Sequence, residues 1–246
     1  MKTAIAAILT FGAVTSSHAQ SQLSIETGIS GPWGYGPGLG NIISSESSYL
    51  TPYFKPNLSI GYQQQIIPHL FVGGKITFEN YTYTYQHEHI NGLFDLFSPT
   101  PMTTDVTRVH VNSNYLSIAP ILDVGLGRRG IVHFFVMPDF NIMIGGTMQT
   151  DITYGYGYSS SANTSSYLNN GFFKVGYGIS EHIPVGKYWQ IIFTETLSNI
   201  AAGSVARTQG TNGFDPTVNY FSLQFGVMHK YHHKAKPTGE TSKTMQ

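Results

Sequence analysis

Glu26, Lys55, Lys75, Glu79, Asp123, His133, Asp139 and Lys174 carry the charge and imidazole from which this chain could build a reactive site. Acyl-transfer or hydrolytic chemistry needs a serine, a histidine and an acid so placed that the histidine activates the hydroxyl and the acid orients the histidine. All three types are present, but there is no Gly-x-Ser-x-Gly nucleophile motif. His133 and Asp139 share a strand face by even spacing, yet an extended strand sets them roughly 20 Å apart, beyond hydrogen-bond reach. We therefore expect no catalytic residues.

Metal and phosphate chemistry fare no better. His87-Glu88-His89 and His232-His233 could supply imidazole and carboxylate ligands, but neither has a further donor at a recognisable spacing. The chain has no cysteine, which excludes disulfides and thiolate sites. "GPGLG" and "GYGYSS" lack the lysine and following helix of a phosphate-binding loop. No metal site and no cofactor are expected. The charged residues must then serve another purpose, which depends on the elements that hold them.

Those elements are strands. Runs of alternating character span 21–30, 53–65, 69–84, 109–124, 131–146, 170–181, 188–201 and 217–231. About eight antiparallel strands follow, an even number, as single-chain bacterial barrels have. The connections alternate in length. "IIPH" at 66–69, "GLGRRG" at 125–130 and "PVGK" at 184–187 are tight, whereas 31–52, 85–108, 147–169 and 202–216 are long and polar. Short turns at one end and long loops at the other suit an up-and-down transmembrane β-barrel.

Along each strand one face is large and apolar. Phe134, Val136 and Phe140 alternate with Phe135, Met137, Asp139 and Asn141; Phe173 and Val175 alternate with Lys174 and Gly176; Phe221, Leu223, Phe225 and Val227 alternate with Ser222, Gln224 and Gly226. Gly28, Gly61, Gly73, Gly176, Gly178 and Gly226 recur on the polar face, and small residues suit the cramped interior of a narrow barrel. We therefore assign Phe134, Val136, Phe140, Phe173, Val175, Phe221, Leu223, Phe225 and Val227 to lipid. The eight ionisable residues named at the outset are assigned to a paired network in the lumen. Glu195 breaks the pattern, because the register of Ile191 and Phe193 turns it toward lipid; a bulge, a rim position or a shifted register would each relieve this. Tyr62, Tyr81, Tyr83, Tyr177, Tyr220 and Tyr231, near strand ends, suit the aromatic girdles of a membrane barrel, the alternative being ordinary strand tyrosines.

Composition and address agree. Of 246 residues only 11% are charged, with 13 basic against 13 acidic, too little and too balanced for a nucleic-acid surface. Lys2, the apolar run Ala4 to Val14 and Ser17-His18-Ala19 form a signal peptide, with cleavage expected after Ala19. Its apolar run is short of the roughly 20 residues of a spanning helix. Residues 1–19 are thus read as a cleaved signal, 20–231 as the barrel and 232–246 as a short disordered periplasmic tail.

"NYLSIAPILDVGL" at 114–126, "FFVMPDFNIMIGG" at 134–146, "TLSNI" at 196–200 and the closing "YFSLQFGVMHKY" resemble the strands of the PorT-like outer-membrane β-barrel family typical of Bacteroidetes. The resemblance extends over nearly all of the chain after residue 19, apart from the continuation beyond 231. It implies a non-enzymatic integral protein of the cell outer membrane, in contact with outer-membrane lipid and folded by the outer-membrane insertion machinery. Its long loops, rich in Tyr, Ser, Asn and Gly, suit an unidentified extracellular ligand or a purely structural role. The alternative is a soluble periplasmic or secreted lipocalin-like barrel, with the Phe and Leu faces turned inward around a small apolar ligand. A membrane-embedded lipid-modifying enzyme ranks third.

Overall fold

A computed structural model describes residues 20–35, 46–91, 103–127, 130–202, 205 and 218–232. The predicted signal segment and the tail after His232 lie outside the described residues. The strands are β1 (Gln20–Tyr35), β2 (Glu46–Tyr53), β3 (Lys55–Ile67), β4 (Leu70–Asn91), β5 (Thr103–Leu126), β6 (Val132–Thr153), β7 (Ser159–Asn163), β8 (Gly171–Pro184), β9 (Trp189–Ala202) and β10 (Val218–His232).

Eight of them close a ring in the order β4-β3-β1-β10-β9-β8-β6-β5, with β5 pairing back onto β4. Every pairing is antiparallel, and the first and last strands meet in the seam Gln20↔His232. The fold is an up-and-down barrel of eight strands. Above the ring, β2 continues the line of β3 along upper β4, and β7 takes the place of β8 along upper β6.

The tight turns lie where the sequence puts them, at the end of the ring that also holds Gln20 and His232. His69 has φ 67°, and Gly127 and Gly130 adopt φ 73° and 52°, the left-handed backbone such turns require. Gly125 N–H donates to His69 O at 2.7 Å, tying two adjacent turns together.

At the opposite end the predicted loops are shorter than expected. Residues 85–91 and 103–108 extend β4 and β5, while 147–153 and 159–163 form the end of β6 and all of β7. Thr-Tyr alternation at 82–85 and the β-branched residues of 104–111 favour extended backbone. Their polar outward faces make them look like loop, but they indicate only that this part of the wall meets water.

Side chains alternate sharply across the wall. Phe140 is 54% and Phe225 56% exposed on the outside, whereas Asp139 is 1% and Lys174 2% exposed on the inside. Several inward glycines are places where neighbouring backbone approaches closely. A Cβ on Gly28, Gly73 or Gly178 would lie 1.9 Å from a carbonyl oxygen of the adjacent strand.

The tyrosine girdle needs correction. Tyr62, Tyr177 and Tyr231 do point outward, but Tyr81, Tyr83 and Tyr220 are buried inside the upper barrel with Tyr115 and Phe172. Tyr81 is at even spacing from Lys75 and Glu79, so the same alternation that buries those charges buries it too. The Tyr81 ring meets Tyr115, Phe172 and Tyr220 edge-on at 5.3, 5.4 and 4.3 Å, capping the lumen with aromatic contacts.

Candidate functional site

The lumen below this aromatic cap is filled with three polar clusters. In the uppermost, Lys174 of β8 stands opposite Asp139 of β6 in register, and Glu79 reaches it from β4. Lys174 Nζ lies 2.5 Å from Glu79 Oε2 and 3.1 Å from Asp139 Oδ2, and it donates to Tyr81 Oη at 2.8 Å. Tyr81 donates to Glu79, and Ser117 to Asp139. One ammonium thus serves two carboxylates, each held by a further hydroxyl.

The middle cluster joins β1, β3, β4 and β10. Lys75 Nζ contacts Glu26 Oε2 at 2.9 Å and Gln224 Oε1 at 2.8 Å; Ser24 donates to Glu26 at 3.2 Å. Gln224 donates to Asn57 at 3.0 Å, and Asn57 to Ser222 at 2.9 Å. The partners are inward residues of four strands, so the cluster also fixes register across the β1–β10 seam.

Nearest the tight turns, His133 Nδ1 faces Asp123 Oδ1 at 2.8 Å while its Nε2 faces Gly130 O at 2.9 Å. Gln63 donates to the second Asp123 oxygen at 3.2 Å. His182 stacks on His133 with ring centroids 3.7 Å apart and planes 17° from parallel. Its Nε2 meets Ser180 Oγ at 2.9 Å, and its buried Nδ1 has no hydrogen-bond partner among the described residues.

Of the residues assigned to the lumen, Glu26, Lys75, Glu79, Asp123, His133, Asp139 and Lys174 are all buried in these clusters. Lys55 is not among them; it stands opposite Ser30 near the upper end, half-buried on the inward side. Ser180 lies on the polar face the sequence assigns to the strand 170–181 but is not among the residues expected in the lumen network, and His182 lies one residue past that expected strand end. Lys174, Gly176, Gly178, Ser180 and His182 continue one inward face by twos. That spacing was the signal that would have found them. On the outside, Phe134, Val136, Phe140, Leu223, Phe225 and Val227 are exposed, and Phe173, Val175 and Phe221 share their face, half-buried.

Glu195 does face outward. It pairs with Ile179 on one side and Leu223 on the other in unbroken register, so neither a bulge nor a slip relieves it. Glu181, opposite Phe193, shares that face closer to the tight turns.

The chemistry open to the lumen is limited. Ser180 and His182 are a hydroxyl–imidazole pair, but Asp123 orients the other histidine, so the order of a hydrolytic triad is absent from this cluster. Donor atoms of Asp123, His133 and His182 lie within 4.8 Å of one another. However, near-parallel stacked rings aim their in-plane lone pairs side by side, and both nitrogens of His133 already face oxygen acceptors. The set fits a hydrogen-bonded stack better than a converging ligand shell. Of the two earlier histidine clusters, His87 lies on β4, stacked at 6.5 Å on Tyr85. His232 ends β10, and His233 is outside the described residues. The cavities between the clusters hold about 30 and 20 Å³, room for a water or two.

No family model and no curated protein matches the chain. Among solved structures, Ail of Yersinia pestis, crystallised with the heparin analogue sucrose octasulfate, is similar at 9% identity and a TM-score of 0.36. That match covers 87% of this chain and 99% of Ail. Neisserial surface protein A is similar at 10% identity and a TM-score of 0.35, covering 88% of this chain and 98% of its own. The outer-membrane protease OmpT of Escherichia coli gives 8% and 0.29, covering 89% and 97%. At these values the fold assignment rests on the closed ring of strands itself.

Proposed function

We propose that the chain is a non-enzymatic integral outer-membrane β-barrel protein of the PorT-like kind its strands resemble, with both termini in the periplasm. Its role is that of a sealed scaffold carrying an interaction surface above the membrane. The observation that carries this reading is the sidedness of the wall: Ile, Leu, Val and Phe ring the outside while ion pairs fill the inside. In water that belt would expose a continuous apolar surface; in lipid it is at home. Tight turns at one rim, together with Gln20 and His232, fit the periplasmic side, and the taller rim fits the cell exterior.

The lipocalin-like alternative required the Phe and Leu faces to line a pocket. They point outward, and the lumen cavities of about 30 and 20 Å³ between the described clusters fall far short of the 300 Å³ or more that a ligand pocket occupies. The enzymatic reading has Ser180 and His182 in its favour but no acid on His182. Ser180→Ala is expected to leave the lipid composition of the membrane unchanged, as read by mass spectrometry. Loss of a lysolipid or acylated product would promote the enzyme.

The test of the reading itself is gel mobility. The chain is expected in washed outer membranes, migrating differently with and without boiling, because the closed barrel resists detergent until heated. Release into the soluble fraction by salt or carbonate would sink it. Glu195 offers a second check. Charge on the lipid face of a barrel costs up to a few kcal/mol, less for acids than for Lys or Arg. Glu195→Leu is therefore expected to stabilise the barrel in phospholipid vesicles by about 1–2 kcal/mol, measured by urea titration. A destabilised variant would show instead that the carboxylate has a partner in the membrane.

A further inference from the structure

Above the lipid belt the outer wall changes chemistry within one residue pair. On β4 the outward sequence runs Ile76, Phe78, then Asn80, Thr82, Thr84; on β5 it runs Ile118, Leu116, then Asn114, Asn112, His110. On β6, Phe140 and Ile142 give way, past a bulge opposite Asn114 and Tyr115, to Thr147 and Gln149. Five strands, β2, β4, β5, β6 and β7, share this wall. Its outer face holds an open trough of about 610 Å³ lined by Tyr53, Thr82, Thr84, Asn112, Thr147 and Gln149, with Ser161 and Asn163 at the β7 edge.

The lining lies in cross-strand rows. Tyr53↔Thr82, Thr82↔Asn112 and Asn112↔Thr147 form one; Thr84↔His110, His110↔Gln149 and Gln149↔Asn163 form the next. Five strands at about 4.8 Å spacing make the trough roughly 19 Å long. The floor is pre-set by its own bonds: Asn80 donates to Asn112 at 3.0 Å and to Asn114 at 2.8 Å, and Thr84 meets His110 Nδ1 at 2.9 Å. His110 Nε2 also lies 3.3 Å from Asp151 at the trough's edge. Gln149 and Ser161 hold Asp151 below the usual carboxylate range, with His110 adding to the effect.

From this we infer that the trough is a binding site for neutral sugar residues of an outer-leaflet glycolipid. The inference rests on the outer-membrane reading above. Carboxamides and hydroxyls each donate and accept, which matches a sugar hydroxyl that does both. A phosphate would call for Lys or Arg, and none lines the trough; Arg108 lies beyond it, donating to Gln86 at 2.8 Å. An acyl chain would call for exposed apolar side chains; Tyr83, Val111 and Met148, which also border the trough, are buried on the inward face, and the exposed ones lie below, at Phe78, Ile142 and Ile144. A ligand with chains against the belt and sugars in the trough meets both surfaces at once, which selects the membrane-anchored form over a free glycan. Tyr53, 45% exposed, offers an aromatic face at one end.

The probes are lipopolysaccharide carrying core sugars only, the same core oligosaccharide after deacylation, and lipid A without sugars. Binding is measured by native mass spectrometry on the full barrel in detergent, for wild type and for Asn112→Leu/Gln149→Leu. Both substituted side chains face solvent, and the heat-dependent gel shift reports whether the variant folds. Expected is a tenfold or greater loss of the core-bearing glycolipid in the variant, with lipid A binding weak and unchanged. The deacylated core is expected to bind far more weakly than the intact glycolipid. Equal binding by a folded variant overturns the site, and equal affinity for the deacylated core overturns the glycolipid in favour of a free glycan. Should Asn112→Leu/Gln149→Leu fail to fold, Tyr53→Ala and Thr147→Val take its place under the same criteria. A wild-type chain without a heat-dependent shift would fail the outer-membrane reading, separately from either sugar result.

Discussion

Lys174→Met is expected to destabilise the barrel by about 3–5 kcal/mol, the range seen when one partner of a buried ion pair is removed. The effect is large because Lys174 is the shared cation of Glu79 and Asp139, at 2.5 and 3.1 Å, in a part of the lumen with almost no free volume. Methionine fills a similar space, so the loss is electrostatic rather than a cavity effect. Two carboxylates would be left in an interior closed to bulk water, with Tyr81, Ser117 and a water or two at most to hold them. The triple variant Lys174→Met/Glu79→Gln/Asp139→Asn should recover most of the loss, since removing all the charges also removes the unpaired ones. Urea titration in phospholipid vesicles, followed by tryptophan fluorescence, measures both. A single variant within about 1 kcal/mol of wild type would mean that bulk water reaches the carboxylates.

Gly178→Ala is expected to cost more than about 3 kcal/mol, or to prevent folding, which is above the usual range for an extra methyl group. The new Cβ would lie 1.9 Å from the carbonyl oxygen of Glu195 and 2.7 Å from the Phe135 ring. Rotating a side chain cannot relieve the first contact, because it is backbone on the adjacent strand. Gly176→Ala, two residues away, meets the flexible end of Met137 at 2.9 Å and is expected to cost only about 1 kcal/mol. Gly145→Ala meets nothing within 4 Å and serves as the neutral control. The heat-dependent gel shift orders the three. Equal behaviour of Gly178→Ala and Gly145→Ala would show that β8 and β9 can part locally without loss of the ring.

Alternation made much of this legible before any coordinates. A period of two assigns each residue to a face, and the alternating lengths of the connections give the strand count and the end at which the turns lie. That was enough to place Lys75 beside inward partners and Phe225 outside. It could not pair Lys75 with Glu26 or Lys174 with Glu79, because those contacts cross the barrel and depend on strand order and stagger. Tyr81 misled for a different reason. A tyrosine suits both a membrane interface and a packed interior, and only the true length of β4 shows that position 81 is mid-strand. The polar upper wall misled in the same way: Gln86 and Gln149 have the composition of loops but the backbone of strands. Outward polarity reports the solvent a face meets, not the conformation of the chain beneath it.

The strands differ greatly in length around the ring. β4, β5 and β6 run for 22, 24 and 22 residues, while β8 and β9 run for 14 each. Eight further residues along a tilted strand add roughly 20 Å of height on one side. A barrel of even height would present the same profile to every neighbour as it spins in the plane of the membrane. This one has a front and a back: a tall palisade on one azimuth and, on the other, described strands that stop near the lipid. In the outer membrane proposed above, encounters with other components would therefore be directional, and crowding would sort copies of this protein by the bearing of that palisade as well as by their position.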